Sequence, residues 1–492
     1  MSAVQPDQTI IENAVSPGGR KVVVVDLDRT LSRSDTLHEQ AIKMIFQRPQ
    51  LLPGLFLALL RGKKAVKAYC ATHIALDPAL LLMCEEVLAY LRDEQRQGSY
   101  LVLCSAADRR VAELVASAVG LFDEVLATGE GANLKGAAKA NLLVQRFPHG
   151  FVYAGDHAAD LAVWAKSDGI VLVGTSPATT RRAQALGKPV LAELRPHRAQ
   201  PPVWRVWGKA LRVHQSAKNV LMFVPLLLAH EWSNGKLVAE TVAGFLLLVV
   251  VTSSSYLVND LADLESDRRH ATKRHRPIAS GVLPLAHAAI FPALMVPVAL
   301  VLAFVLNVWF GLALAGYLAL TSAYSFGLKR VPIFDVFVVA TLFTSRLAMG
   351  AAFIGQLLPI WLITFSMFFF FSLAMAKRHT EVLRAGQHGG SLKARGYEPE
   401  DWPLTLNLGV SSGLGSLIIL VLYLFNEAFR SVGYSRPDFL WPVVLCVALW
   451  ISRIWLLTHR GRMNDDPVVF ALRDRPSWAV AAVVVLCYAL AL

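Results

Sequence analysis

Three short segments in the first third of the chain carry oxygen ligands at spacings that suit phosphate chemistry. Asp26-Leu27-Asp28-Arg29-Thr30 follows the apolar run Lys21–Val25, Ser105 follows Tyr100–Leu103, and Gly155-Asp156-His157-Ala158-Ala159-Asp160 follows Phe151–Ala154. Two carboxylates at i and i+2 beyond a strand can both turn towards one phosphate. One of them can attack phosphorus to form an aspartyl phosphate, provided a metal ion screens the repulsion between anions. A third carboxylate from another strand would complete an oxygen ligand set for Mg²⁺, and a lysine on the next helix would neutralise the phosphoryl oxygens. Any one of these aspartates alone also reads as a helix cap or turn residue; the ordered set points to chemistry. A second constellation lies further on, at Asn259-Asp260-Leu261-Ala262-Asp263-Leu264-Glu265-Ser266-Asp267. On a continuous helix Asn259, Asp263 and Asp267 share one face, with Asp260 alongside. Such a stripe repels itself unless cations sit within it, and Mg²⁺ bridging to a diphosphate fits that need. The basic residues that follow, Arg268, Arg269, Lys273, Arg274 and Arg276, suit the remaining phosphate oxygens.

The elements around the first set read as a doubly wound α/β domain. Lys21–Val25, Tyr100–Leu103, Phe151–Ala154 and Ile170–Val173 have the length and apolar content of buried parallel strands, with helical stretches between them. Ligands of open α/β sheets bind at the carboxyl ends of the strands, so the three separated segments are expected to meet in one crevice.

The run from Lys21 to Leu194 resembles the haloacid dehalogenase superfamily, through D-x-D-x-T at Asp26, Asp28 and Thr30, the strand-end Ser105, a lysine, and GD-x-x-x-D at Asp156 and Asp160. The resemblance implies Asp26 as nucleophile, Asp28 as general acid/base, and Mg²⁺ held by Asp26, Asp28 through its carbonyl, and Asp156, with Asp160 in the same metal loop. It implies Lys139 as the lysine, with Lys135 as second choice. The roughly 75 residues between the first two motifs would form a small helical cap. Arg29 stands where the family usually has glycine, which would crowd the nucleophile loop. Within the cap, Leu51–Leu60 is apolar but too short to span a bilayer.

The remainder of the chain has a different composition. The 492 residues are 55% hydrophobic, with a mean hydropathy of +0.47, too apolar for a soluble protein of this length. The net charge of +12 comes from basic stretches between apolar blocks, the pattern of a membrane protein rather than of a nucleic-acid partner. Five cysteines (Cys70, Cys84, Cys104, Cys446, Cys487) with no C-x-x-C pair support neither a disulfide framework nor a zinc site. The first residues lack a basic segment followed by an apolar one, so no secretory signal is read there. The expected organisation is a tail over 1–20, the α/β domain over 21–194, a Pro- and Arg-rich linker over 195–210, and an all-α membrane bundle over 211–492. Nine apolar segments are expected to span, beginning near Asn219, Leu237, Leu285, Val308, Ile333, Pro359, Leu404, Phe439 and Trp478. Alternate loops carry sixteen Lys and Arg on one side against three on the other. That bias puts the basic loops and the α/β domain in the cytosol of an inner-membrane protein, with the C-terminus opposite.

The run N-D-x-x-D-x-x-x-D, with Tyr324-Ser325-x-x-Leu328-Lys329-Arg330 and the apolar segments, resembles the UbiA superfamily of intramembrane prenyltransferases. The resemblance implies Mg²⁺-assisted loss of diphosphate from a donor and capture of the cation by an acceptor. Asp260, Asp263 and Asp267 would be catalytic and, with Asn259, hold the metal. The usual second Asp-rich motif is replaced by Lys377-Arg378-His379-Thr380-Glu381, with Lys393, Arg395 and Tyr397 downstream. That replacement, with the late segment Asp465–Asp474, is most similar to the branch that transfers phosphoribose from phosphoribosyl diphosphate (PRPP) to a polyprenyl phosphate. More phosphate groups then need more cations. Lys218, Asn219, Asn259, Arg274, Arg276, Tyr324, Lys329, Arg330, Lys377, Arg378, Glu381, Lys393 and Arg395 are the expected substrate contacts. The product would carry a removable 5-phosphate, which fits fusion to a phosphatase-type domain. Two other readings compete: an isoprenoid transfer to an aromatic or other small acceptor, and cation-coupled transport, for which Asp335, Arg346 and Arg453 would serve. Partners are therefore polyprenyl lipid, PRPP and membrane lipids, with no nucleic acid.

Overall fold

The computed structural model describes residues 19–129, 134–195, 201–355, 358–388, 396–430, 434–463 and 467–492. Lys393, Arg395 and Asp465, the tail up to residue 18 and linker residues 196–200 lie outside them. The chain forms two compact units. One comprises the chain up to Ala210 together with Asp260–Ile290; the other comprises Leu211–Asn259 and Phe291–Leu492.

The first unit is built on a six-stranded parallel sheet. Its strands are β1 (Val22–Val25), β2 (Tyr100–Asp108), β3 (Glu124–Thr128), β4 (Val152–Gly155), β5 (Gly169–Val173) and β6 (Val190–Leu194), in the order β3-β2-β1-β4-β5-β6. The pleat sends alternate residues to opposite faces. Val23, Val25, Leu101, Leu103 and Val171 pack on one side with Val87, Leu91, Val111 and Val115. Val22, Val24, Val102, Tyr153, Ile170 and Leu172 pack on the other with Leu143, Val163 and Trp164. Both faces are covered, which is why the strands read as unbroken apolar runs. β3 and β6 were not legible in advance, because Glu124–Thr128 and Val190–Leu194 carry partly exposed and charged positions. Strand order reverses between β1 and its two neighbours, β2 and β4, and that switch point is where the three motif-bearing strands end.

Between β1 and β2 three helices form the cap: α1 (Thr36–Gln47), α2 (Leu52–Leu60) and α3 (Lys63–His73). They share a small core of Met44, Ala58, Val66, Cys70 and Ile74. α1 starts where Asp35 accepts hydrogen bonds from the amides of Leu37 and His38, capping donors the helix cannot satisfy.

Seven helices among the described residues are long and apolar enough to cross a membrane: Gly235–Ala262, Leu285–Leu306, Val308–Phe326, Phe334–Ile354, Ile360–Gly386, Pro399–Asn426 and Pro437–His459. The count falls short of the nine expected at the two ends. The segment near Asn219 is a 3₁₀ run, Val213–Phe223, followed by the five-residue helix Val224–Leu228. The last apolar helix, Arg475–Ala491, has 17 residues, and at 1.5 Å per residue reaches about 26 Å, short of a bilayer core. The Asp-rich run also departs from expectation. The helix ends at Ala262, Asp263 is a turn residue, and a new helix covers Leu264–Arg269, so Asn259, Asp263 and Asp267 do not form one continuous helical stripe. All five cysteines are free thiols.

Small residues set the closest approach in the second unit. A side chain at Gly409 would run into the Trp455 ring. Its carbonyl accepts from Ser372 Oγ at 2.7 Å, and Ser372 in turn accepts from Trp455 Nε1 at 3.0 Å. Gly409→Ala should therefore overpack this junction and destabilise the protein by roughly 1–3 kcal/mol. Gly316→Ala, where nothing lies within 4 Å, should not. Thermal unfolding of both variants in detergent checks this; equal midpoints would refute it.

Candidate functional site

In the first unit the three strand ends do meet. Asp26 stands just beyond β1, its amide donating to the Ala154 carbonyl of β4 at 3.1 Å. Lys139, on helix α4 (Ala137–Arg146), is buried beneath it and donates to Asp26 Oδ1 at 2.9 Å, the Cys104 carbonyl at 3.0 Å and the Tyr153 hydroxyl at 2.9 Å. Burial by itself pulls the ammonium's pKa down. The charge of Asp26 outweighs it, with help from Cys104 and Asp160, and holds the ammonium above its ordinary pKa. Asp28 Oδ1 accepts from the Thr36 amide at 2.8 Å, fixing it to the first residue of α1. Asp156 accepts from Thr30 Oγ1 at 3.3 Å. Asp160 braces the loop: its Oδ2 accepts from the amides of Asp156 and His157, and its Oδ1 from Tyr153. Ser105 is fully buried and lies within β2, which runs on past it to Asp108 rather than ending before it, and its Oγ accepts from the Ala107 amide. Arg29 adopts φ +64°, the left-handed conformation that favours glycine.

The electrostatics of this crevice call for a cation. Asp26, Asp156 and Asp160 each offer a ligand atom within 4.8 Å of the others. Burial, then Asp160 and Asp26, lift the Asp156 carboxyl to about 7, with Arg29 opposing. Burial and Asp35, with Asp26 adding to them against the Thr36 hydrogen bond, lift Asp28 to about 7. Burial and Asp26 raise Asp160 as well. Crowded carboxylates that resist ionisation fit an oxygen-liganded divalent ion. Asp35, Tyr153 and Lys67 were missed by sequence reasoning. Lys67, on α3, donates to the Ala106 carbonyl at 2.6 Å; burial lowers its pKa, against the opposing pull of the Asp28 and Asp35 charges. Nothing in its local sequence (KKAVKAY) distinguishes it from an exposed lysine.

The Asp-rich segment belongs to the same unit. Arg276 Nη1 donates to Asp260 at 3.0 Å and to Asp267 at 2.6 Å, so one guanidinium draws the two carboxylates together. Asp260 and Asp267 are buried, and Asp267 Oδ1 has no hydrogen-bond partner among the described residues. An orphaned buried carboxylate oxygen beside a second carboxylate fits a metal ligand. Asp263 contributes its carbonyl to the Asp267 amide and the Ser266 hydroxyl, while Arg274 is exposed. The cap grips this segment. Arg268 donates to both Glu39 oxygens of α1 at 2.7 and 3.0 Å and to the carbonyls of Leu80 and Ala279. Lys43 pairs with Glu265 at 2.7 Å, and Arg269 with Asp77 at 3.2 Å.

In the second unit two polar networks lie inside the helices. Asn219, 1% exposed, accepts from Arg346 Nε at 3.0 Å and donates to Thr252, while Arg346 also reaches the Tyr317 hydroxyl. Lys218 and Arg346 both lie over the Phe343 ring. In the other network, Arg378 donates to Asp335 at 2.6 Å, Glu381 and the Tyr324 hydroxyl, and Tyr397 donates to Asp335 at 2.9 Å. Lys377 is half-buried next to it, and Lys329 and Arg330 sit on a 3₁₀ turn. Arg453 is committed to Asp474, which caps the last helix. Arg346 and Asp335 are thus parts of these networks that the transferase reading of the sequence left out; an ion inside an apolar span was the available signal.

Comparison with known proteins decides the family. Residues 220–490 match the UbiA prenyltransferase family, and residues 23–164 match haloacid dehalogenase-like hydrolase. The chain belongs to the UbiA prenyltransferase family. It carries a haloacid dehalogenase-like domain as well, and it is an integral, multi-pass membrane protein. It is 40% identical over 96% of its length, and 91% of the relative's, to an uncharacterised protein, y4nM, of Sinorhizobium fredii. It is 33% identical to decaprenyl-phosphate phosphoribosyltransferase of Mycolicibacterium smegmatis, over 56% of this chain and 90% of that protein. It is also 33% identical to nodulation protein NoeC of Azorhizobium caulinodans, over 55% of this chain and 87% of that one.

The raised carboxyls give a signed pH dependence. Asp28 and Asp156 keep a proton in the folded state up to about pH 7 but lose it near 4 when unfolded. Without Mg²⁺, the folded state therefore binds more protons between roughly pH 4 and 7, and stability falls across that window as pH rises. Melts in chelator from pH 5 to pH 8 should show the first transition moving down. Added Mg²⁺ should flatten the trend and stabilise most at the alkaline end; a flat profile in chelator would contradict it.

Proposed function

We propose that this protein transfers phosphoribose from PRPP to a polyprenyl phosphate, and that its haloacid dehalogenase-like domain removes the 5-phosphate of that product. The observation that carries the reading is the charge balance of the UbiA-like residues. One Asp-rich segment, in which Asp267 Oδ1 has no hydrogen-bond partner among the described residues, is accompanied by a basic stretch, Lys377 and Arg378, where a second acidic motif would otherwise stand; Asp335 and Glu381 already neutralise Arg378, so Lys377 is the cation this stretch can offer. A single metal–diphosphate site plus extra cations suits a donor and an acceptor that each bring a further phosphate. The name of the Mycolicibacterium relative agrees with this.

In the transfer step the bond from ribose C1 to the diphosphate oxygen breaks, an oxygen of the lipid phosphate bonds to C1, and diphosphate leaves. Mg²⁺, when bound, would neutralise the charge that builds on the leaving diphosphate. Asp260, Asp263 and Asp267, with Asn259, would hold it, and Arg276 would orient two of these carboxylates. Arg274, Lys329, Arg330, Lys377, Lys393 and Arg395 would take phosphate oxygens, and Lys218 and Asn219 would be further substrate contacts. Arg378, Glu381 and Tyr324 would contribute as one hydrogen-bonded group with Asp335 rather than as separate phosphate ligands, since Arg378 donates to all three partners.

In the hydrolytic step Asp26 attacks phosphorus and the ribose 5-oxygen leaves. Asp28, which retains its proton up to about pH 7, gives that proton to the leaving oxygen and then takes one from the water that releases phosphate. Lys139 and Ser105 would steady the phosphoryl oxygens, and Asp26, the Asp28 carbonyl and Asp156 would bind Mg²⁺, with Asp160 bracing them. The basic loops, with this domain, are assigned to the cytosolic side of the inner membrane.

Asp267→Asn should abolish transfer in folded protein, and Lys377→Ala should raise KM for PRPP about tenfold with little change in kcat. Transfer at the wild-type rate in Asp267→Asn would remove the metal assignment. Asp26→Asn should spare transfer but accumulate the 5-phosphorylated lipid, because asparagine cannot attack phosphorus. Mass spectrometry separates the two lipids by one phosphate. Identical products from wild type and Asp26→Asn would exclude the hydrolytic role.

A further inference from the structure

α2 presents an apolar face that the described residues leave exposed. Leu51, Leu55 and Ala58 pack inward on the cap core, while Phe56, Leu57, Leu59 and Leu60 are 62%, 58%, 58% and 72% exposed. Four large apolar side chains exposed on a nine-residue helix would be a liability in water. The surroundings identify what covers them. Residues 40–76 contain six Lys and Arg (Lys43, Arg48, Arg61, Lys63, Lys64, Lys67) and no Asp or Glu. Arg48, Arg61, Lys63 and Lys64 are exposed around the helix. An apolar face flanked by cations complements an anionic lipid surface.

A second observation fixes the same partner. The cap is tied by the buried Arg268–Glu39 pair, whose side chains are 6% and 5% exposed, to the segment that follows a membrane-crossing helix. Arg268 lies six residues beyond Ala262, where that helix ends, and Lys43–Glu265 adds a second tie from the same helix, α1. A cap held this close along the chain to the end of a span has a bilayer within reach.

We propose that α2 lies in the headgroup layer of the adjacent leaflet, so that the haloacid dehalogenase-like site serves a phosphate monoester carried on a lipid rather than a free one. The lipid-borne substrate rests on the proposed function above; the membrane contact does not. Lys67, on the next helix and close in charge to Asp28, brings the cap's cations to the phosphate end of the same substrate.

Site-directed spin labelling of the full chain in nanodiscs containing phosphatidylglycerol tests the contact. Labels at L57C and L60C should be reached by oxygen rather than by a nickel chelate, at a depth of about 5–10 Å below the phosphates. A label at Q184C, exposed on a polar helix of the same unit, should show the reverse. Nickel access at L57C equal to that at Q184C would overturn the proposal, as would spin–spin broadening from a second copy covering the face. L57E/L60E should raise KM for the lipid-linked monoester about tenfold while hydrolysis of para-nitrophenyl phosphate stays within about twofold. Equal loss on both substrates would overturn the lipid-borne assignment. If wild type hydrolyses neither, the hydrolytic role fails and the labels alone decide the contact.

Discussion

Carboxylates brought close together in a poorly solvated space tolerate one another only when cations lie among them, and most of this protein's polar architecture follows from that constraint. In the haloacid dehalogenase-like domain the sheet's switch point gathers Asp26, Asp28, Asp156 and Asp160, and a single buried ammonium, Lys139, sits beneath them. That one charge does not satisfy the cluster, as the raised Asp28 and Asp156 carboxyls show. The same constraint recurs in the Asp-rich segment, where Arg276 offsets Asp260 and Asp267 and one Asp267 oxygen has no partner among the described residues. Inside the helices, Asp335 is tolerated because Arg378 and Tyr397 meet both of its oxygens.

The first unit joins the haloacid dehalogenase-like crevice to the Asp-rich segment through α1. The amide of its first residue holds Asp28, and Glu39, one turn on, holds Arg268 with two hydrogen bonds. Removing one partner of such a buried pair leaves an uncompensated charge, so this contact resists separation. The cap of the haloacid dehalogenase-like domain and the Asp-rich segment are thereby parts of one compact unit.

Much of this was legible in the sequence because the relevant signals are local. Runs such as Val22–Val25 are unbroken since both faces of the sheet are covered, and D-x-D-x-T and GD-x-x-x-D are contiguous. Where sequence reasoning failed, long-range contacts decided. β3 and β6 are edge strands with partly exposed residues, so their pattern is weak. The Asp-rich run reads as one helix, but Asp263 is a turn, and it is Arg276, beyond the second short helix, that brings Asp260 and Asp267 together. Lys67 and Asp35 reach the crevice only because the cap folds over it. The apolar stretch near Asn219 is a 3₁₀ run rather than a spanning helix, and in it Asn219 bonds Thr252 and Arg346, partners far off in sequence.

The central claim is the identity of the transferred group. Purified protein in detergent with Mg²⁺, polyprenyl phosphate and ribose-labelled PRPP tests it directly, with the lipid fraction counted after extraction. The account predicts label in that fraction, dependent on both Mg²⁺ and Asp267. Label that stays in the aqueous phase, while a prenyl diphosphate donor alkylates an aromatic acceptor under the same conditions, would contradict it.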